Sequence, residues 1–272
     1  MKPTEQPPEQ PPEHPPEHLW PLFRICLYGF FRRGSCWLLL LGGVVFAWLA
    51  PLITPWDEQP QILQPARAQA AWIYVWFACF TWFPFQAATL GRRLRSTGML
   101  ELMKARGIGA GSLYGQIGAS VAVWLAAVVL LAGGVCITVC LPRLAEEATQ
   151  WMAVVGQYGV LSGMALLPLL WLGVALGTRV DEVVAFLVPV ALLFLGLIAA
   201  PWIAPLLAGS DAALFQWGWL ALPHTHLADL TPRLVFKLGP LAAADFFGSL
   251  GCLTLQGVAV TLLGRCLFRT QS

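Results

Sequence analysis

The chain has 272 residues, of which 58% are hydrophobic and only 11% charged, with a formal net charge of +2. Soluble domains carry about a quarter charged residues, so a water-facing surface of this size is excluded. With a mean hydropathy of +0.70 the chain reads as an integral membrane protein, and its near-neutral charge points to no nucleic-acid partner.

Residues 1–18 are a material apart. Glu5-Gln6-Pro7-Pro8, Glu9-Gln10-Pro11-Pro12 and Glu13-His14-Pro15-Pro16 repeat every four residues and offer nothing to bury. Proline fixes φ and removes a backbone donor, so the segment is expected to be a disordered, polyproline-II-like cytoplasmic tail. An acidic proline tract also lacks the basic-then-apolar order of a signal peptide. Residues 19–272 are expected to form one transmembrane domain.

Divided at its Asp, Glu, Lys and Arg residues, that domain leaves charge-free intervals at Gly34–Trp56, Ala68–Gly91, Gly107–Pro142, Ala148–Thr178, Val183–Ser210 and Phe246–Gly264. A spanning helix needs about 20 apolar residues. Each interval holds one such helix and none holds two with a turn, which predicts an all-α fold of six transmembrane helices. A further interval, Ala212–Ala228, contains Pro223, His224 and His226. Its Ala212–Leu222 part is expected to be a short re-entrant or interfacial segment before the last span.

Lys and Arg set the orientation. With six spans, one side holds Lys2, Arg24, Arg32, Arg33, Arg92, Arg93, Arg95, Lys104, Arg106, Arg179, Arg265 and Arg269; the other holds Arg67, Arg143, Arg233 and Lys237. The first side, with both termini, is therefore expected to face the cytoplasm. Trp20, Trp37, Trp56, Trp72, Trp151, Trp202, Trp217 and Trp219 fall near the span ends, where an interfacial aromatic belt would lie.

Enzyme signatures are missing. No H-E-x-x-H, G-x-S-x-G or G-x-x-x-x-G-K-[ST] occurs, and the glycines at Gly107, Gly109 and Gly111 are followed by neither Lys nor a strand, so no ATP-binding loop and no cofactor are expected. His224, His226 and Asp229 form a metal-like cluster, but Pro223 at a membrane surface favours a turn, and no metal is assigned. The seven cysteines sit in apolar runs without C-x-x-C spacing and read as small packing residues. Within the spans the polar residues are Gln86, Gln116, Gln157 and Gln256, and small-residue pairs occur at Gly159–Gly163 and Gly173–Gly177. Close helix packing with glutamines bonding between helices explains both; a substrate path lined by the glutamines is the alternative.

The loop after the second span is the informative stretch. From Gly98 to Gly107 it reads G-M-L-E-L-M-K-A-R-G. Met99, Leu102, Met103 and Arg106 recur at helical spacing, while Glu101, Lys104 and Ala105 take the other face. Gly98 starts the predicted helix, Glu101 sits in its first turn and Gly107 ends it. The result is a basic amphipathic helix, suited to lipid headgroups or to a groove on a cytoplasmic partner.

Six spans, this loop and a broken segment before the last span together resemble the permease subunit of type-2 ATP-binding-cassette (ABC) exporters, across roughly residues 20–270. Gly98–Gly107 is similar to that family's G-x-x-E-x-L coupling segment, and His226–Phe246 to its link into the last span. The chain departs from the family at Arg106-Gly107, where many members carry a proline-containing turn, and in its Pro-Glu tail. The resemblance implies that Met99, Leu100, Glu101, Leu102, Met103, Lys104, Arg106 and Gly107 couple to a cytoplasmic ABC ATPase subunit. It also implies a second permease, identical or related, in a bacterial inner membrane, with ATP hydrolysed by the separate subunit. Glu101, Gly107 and Ile117 match the coupling-loop spacing of ABC importers as well, but the Leu-Pro that follows there is Ala119-Ser120 here. A non-transporting membrane scaffold or assembly factor is the rival from another class, and a membrane enzyme built on His224, His226 and Asp229 ranks third.

Overall fold

In a computed structural model the described residues are 20–32, 34–53, 60–203, 219 and 222–270. The proline tail and most of Ala212–Leu222 lie outside them. Among the described residues every regular element is helical: α1 Pro21–Phe31, α2 Gly34–Ile53, α3 Pro60–Phe80, α4 Trp82–Ser96, α5 Met99–Ala105, α6 Ala110–Thr138, α7 Ala145–Gly177, α8 Glu182–Phe194, α9 Thr231–Val235 and α10 Ala243–Leu267.

Five stretches are long and apolar enough to cross a membrane: Gln64–Ser96, Ala110–Thr138, Ala145–Gly177, Glu182–Ile203 and Ala243–Leu267. The pair Pro21–Phe31 and Gly34–Leu49, bent by 64°, makes a sixth if counted as one span. This is a multi-pass, all-helical membrane protein. Its outward faces carry Leu130, Trp202 and Leu255, a surface that only an apolar solvent tolerates.

The helices overrun the charge-free intervals. Arg67 lies within α3, Arg93 and Arg95 in the last turn of α4, Glu146 and Glu147 in the first turn of α7, and Arg265 in the last turn of α10. Charge ends the apolar stretch without ending the helix. Acids at a helix start and bases at its end favour the helix dipole, and long side chains reach back to the headgroups.

The bundle is built around α7, which packs against α4, α6, α8 and α10. Its contact with α4 is backbone on backbone: a Cβ added at Gly91 would meet the Val174 carbonyl, and one at Gly177 the Ala88 carbonyl. Only glycine allows that approach. After α8 the chain takes one wider turn, Leu195–Ala199, in which the Ala200 N–H reaches back to the Leu195 carbonyl. Gly196, in that turn, sits directly beneath the Pro223 carbonyl and the Thr225 hydroxyl. The turn is therefore the seat on which the segment leading to α9 rests.

Candidate functional site

At one end of the bundle, α5 bridges α4 and α6. Gly98 has φ +66° and Gly107 φ +84°, the left-handed region in which a side chain is strained. The Gly107 N–H bonds the Lys104 carbonyl and the Ile108 N–H bonds the Met103 carbonyl, a Schellman ending that fixes where the helix stops. The expected apolar face divides in two. Leu100 (1% exposed) and Met103 (4%) turn inward, whereas Leu102 is 51% exposed, beside exposed Glu101, Lys104 and Arg106; Met99 is half-buried. Seven residues of helix are too few to present one uninterrupted stripe, and the docking of α5 on its own bundle takes Leu100 and Met103.

The same end gathers much of the basic charge. Arg92 pairs with Glu182 at 2.9 Å, Arg95 donates to the Arg179 carbonyl, and the Arg269 N–H donates to the Thr178 hydroxyl. Between α4 and the start of α8 lies a cavity of about 370 Å³ lined by Gln86, Thr89, Arg92, Arg93, Ser96 and Glu182, with Phe85 beside them. Gln86, Thr89, Arg93 and Ser96 follow one another at steps of three and four, a polar stripe down one face of α4. That spacing is readable in the sequence; Glu182, ninety residues away, is not.

The other three glutamines hold irregular backbone. Gln116 accepts the Leu22 N–H of the first turn of α1 at 3.1 Å. Gln157 both donates to the Leu241 carbonyl (3.1 Å) and accepts its N–H (2.8 Å). Gln256 donates to the Leu222 carbonyl at 3.0 Å and accepts the His224 N–H at 2.9 Å. In a membrane every backbone polar group must be satisfied internally, and these side chains do so for α1 and for the broken segment after α8. Gln86 borders the polar cavity beside α4.

Sequence reasoning missed a polar cluster inside the bundle. Tyr158, fully buried, stacks on Trp72 with centroids 3.7 Å apart. Its hydroxyl accepts from Trp76 Nε1 (2.8 Å), donates to Asp229 (2.7 Å) and lies 2.8 Å from the Thr231 hydroxyl. Asp229 also accepts the Thr231 N–H. The four side chains come from α3, α7 and the α9 region, so nothing local signals the cluster. A larger cavity, about 850 Å³ and apolar, opens between α6 and α7 near Trp72, bordered by Gly159 and Gly163.

Asp229 being held by Tyr158, the triad of His224, His226 and Asp229 does not assemble. Among the described residues no group of three His, Cys, Asp or Glu side chains stands close enough for a metal, and none of the seven cysteines forms a disulfide. His224 bonds Gln256, and His226 Nδ1 lies 3.2 Å from the Gly196 carbonyl. Burial lowers the pKa of both histidines below 6.5, and for His224 the neighbouring His226 lowers it further. The unfolded chain thus binds protons that the folded chain refuses. The stability this contributes is present above pH 6.5 and falls as the pH drops below it. Thermal midpoints of the purified protein should fall on acidification from pH 7.5 to 5.5, and less steeply in the His224→Gln, His226→Gln double variant; equal slopes would refute the assignment.

No family model and no curated protein matches this chain. Its fold defines it as a multi-pass α-helical membrane protein.

Proposed function

We propose that the chain is the permease subunit of an ATP-driven exporter of the ABC-2 type its sequence resembles. It crosses a bacterial inner membrane six times with both termini in the cytoplasm. It works with a second permease, identical or related, and borrows its energy from a cytoplasmic ABC ATPase, having no catalytic role itself. The observation that supports this reading is α5. A short helix, bounded by two left-handed glycines and tied to the bundle by Leu100 and Met103, presents Glu101, Leu102, Lys104 and Arg106 outward at the basic end. A rigid charged-and-apolar knob between two spans suits a groove on a partner, and movement of that partner would tilt α4 and α6 together.

The test is the Glu101→Ala, Leu102→Ala double variant. Both side chains are exposed, and the protein should still insert. It should lose the ATPase that co-purifies in mild detergent, and transport should fall at least tenfold. Retention of both ATPase and transport would remove α5 from the coupling role. A wild-type preparation that carries no ATPase would sink the exporter reading and favour the scaffold.

A further inference from the structure

The cavity between α4 and α8 is polar where its surroundings are apolar, and its charges do not cancel. Both oxygens of Glu182 are engaged, one by the Thr89 hydroxyl and the other by Arg92. Arg92 and Glu182 therefore neutralise each other across the opening. Arg93 lines the same cavity, and among the described residues its guanidinium has neither an ion-pair nor a hydrogen-bond partner. Arg95 and Arg179 stand just outside, and the nearby Asp181 carboxylate is turned to the Val183 N–H as the cap of α8. The local balance is positive, in a pocket whose Thr89 and Ser96 hydroxyls are turned to Glu182 and to the Arg93 carbonyl, which leaves the Arg93 guanidinium as the group that faces an anion.

The depth of the site adds to this. Ser96 is the last residue of α4 and Gln86 lies ten positions before it, so the stripe runs about 15 Å along the helix at ~1.5 Å per residue. Its inner end is nearly closed, with Gln86 only 7% exposed. Phe85, on the same helix face, is about half exposed and offers an apolar contact beside the polar mouth. A ligand that fits carries a compact anion with several acceptor oxygens at the membrane surface and an apolar portion alongside.

From these features we infer that the α4–α8 cavity binds a phosphate group, and that the phosphate is the headgroup of an anionic lipid entering from the adjoining leaflet. Guanidinium groups recognise phosphate through paired donors, and basic pockets between spanning helices take anionic headgroups. Arg93 supplies the uncompensated charge and the paired donors, and Glu182 sets the strength of the site by withholding Arg92. The inference needs the membrane-spanning fold but not the exporter reading, so the two can fail separately.

The test uses the full chain in detergent, with native mass spectrometry of bound phosphatidylglycerol against phosphatidylcholine. The wild type should prefer phosphatidylglycerol. One basic residue near a membrane surface is worth about 1 kcal/mol toward anionic lipid, so Arg93→Gln should weaken phosphatidylglycerol binding about fivefold. Glu182→Gln, which releases Arg92, should strengthen it by a similar factor. Arg269→Gln, at the same end but not lining the cavity, should change it less than twofold. Glycerol phosphate in solution distinguishes the two sources of the anion: displacement of lipid at millimolar concentration identifies a soluble phosphate ester as the occupant, and no displacement confirms the lipid. No preference in the wild type, or equal losses in the Arg93 and Arg269 variants, would overturn the site; the opposite sign expected of Glu182→Gln keeps the test decisive if Arg93→Gln fails to fold.

Discussion

Gly177→Val is expected to lower the thermal midpoint of the purified protein by roughly 6–12 °C, the equivalent of about 3 kcal/mol in a protein of this size. The reason is geometric. A Cβ at position 177 lands on the Ala88 carbonyl, as one at Gly91 lands on the Val174 carbonyl. Two backbones meet there, and no rotamer can move aside. Relief requires α4 and α7 to separate, which also pulls on the Arg92–Glu182 pair that joins α4 to α8. Gly156→Ala on the same helix supplies the contrast. Nothing lies within 4 Å of its added Cβ, and alanine favours the helix over glycine by up to ~1 kcal/mol. Its midpoint should be unchanged or raised. Similar losses at both positions, measured by thermal melting in one detergent, would show that α7 lacks this crossing.

Tyr158→Phe is the second large effect, expected to cost about 2–4 kcal/mol. The phenol oxygen is shared by Trp76, Asp229 and Thr231, and its removal strands a buried indole N–H. It also takes one donor from a carboxylate, a loss of about 1.5–3 kcal/mol in itself. Asp229 keeps the Thr231 N–H and is partly accessible, which holds the cost to this range. Phenylalanine preserves the stacking on Trp72, so the loss reports the hydroxyl alone. The Tyr158→Phe, Asp229→Asn pair should fall short of additivity, since the two side chains share one bond. Full additivity would mean that the segment around Asp229 is not held by this network. Limited proteolysis near His226 should follow the same order, because the network ties the segment before α10 to α3 and α7.

The candidate sites differ in how far the sequence exposed them. The helix Met99–Ala105 is local: two glycines bound it, a carboxylate sits in its first turn, and its ends come where those residues predict. Which side chains it shows to a partner is not local. The sequence pattern grouped Met99, Leu102 and Met103, whereas packing on the bundle takes Leu100 and Met103 and leaves Leu102 outside. The polar stripe on α4 is present as a spacing of three and four, yet it becomes a cavity only when Glu182 closes its side. The glutamines look alike in sequence; one borders that cavity and the other three bind backbone far along the chain.

Composition alone determined that this chain belongs in lipid, because so little charge cannot surround so much apolar surface in water, and interval lengths against bilayer thickness determined nearly all the spans. The tertiary structure decided which glycines matter. Gly159–Gly163 and Gly173–Gly177 are the same pattern, but the first pair borders an open groove while Gly177 lies against the backbone of α4 with Gly91. It also decided that Tyr158 and Asp229 are partners across seventy-one positions. Periodicity reports which face of a helix is apolar; it carries no information on which other helix will meet that face, and close approach and buried hydrogen bonds exist only once that meeting has occurred.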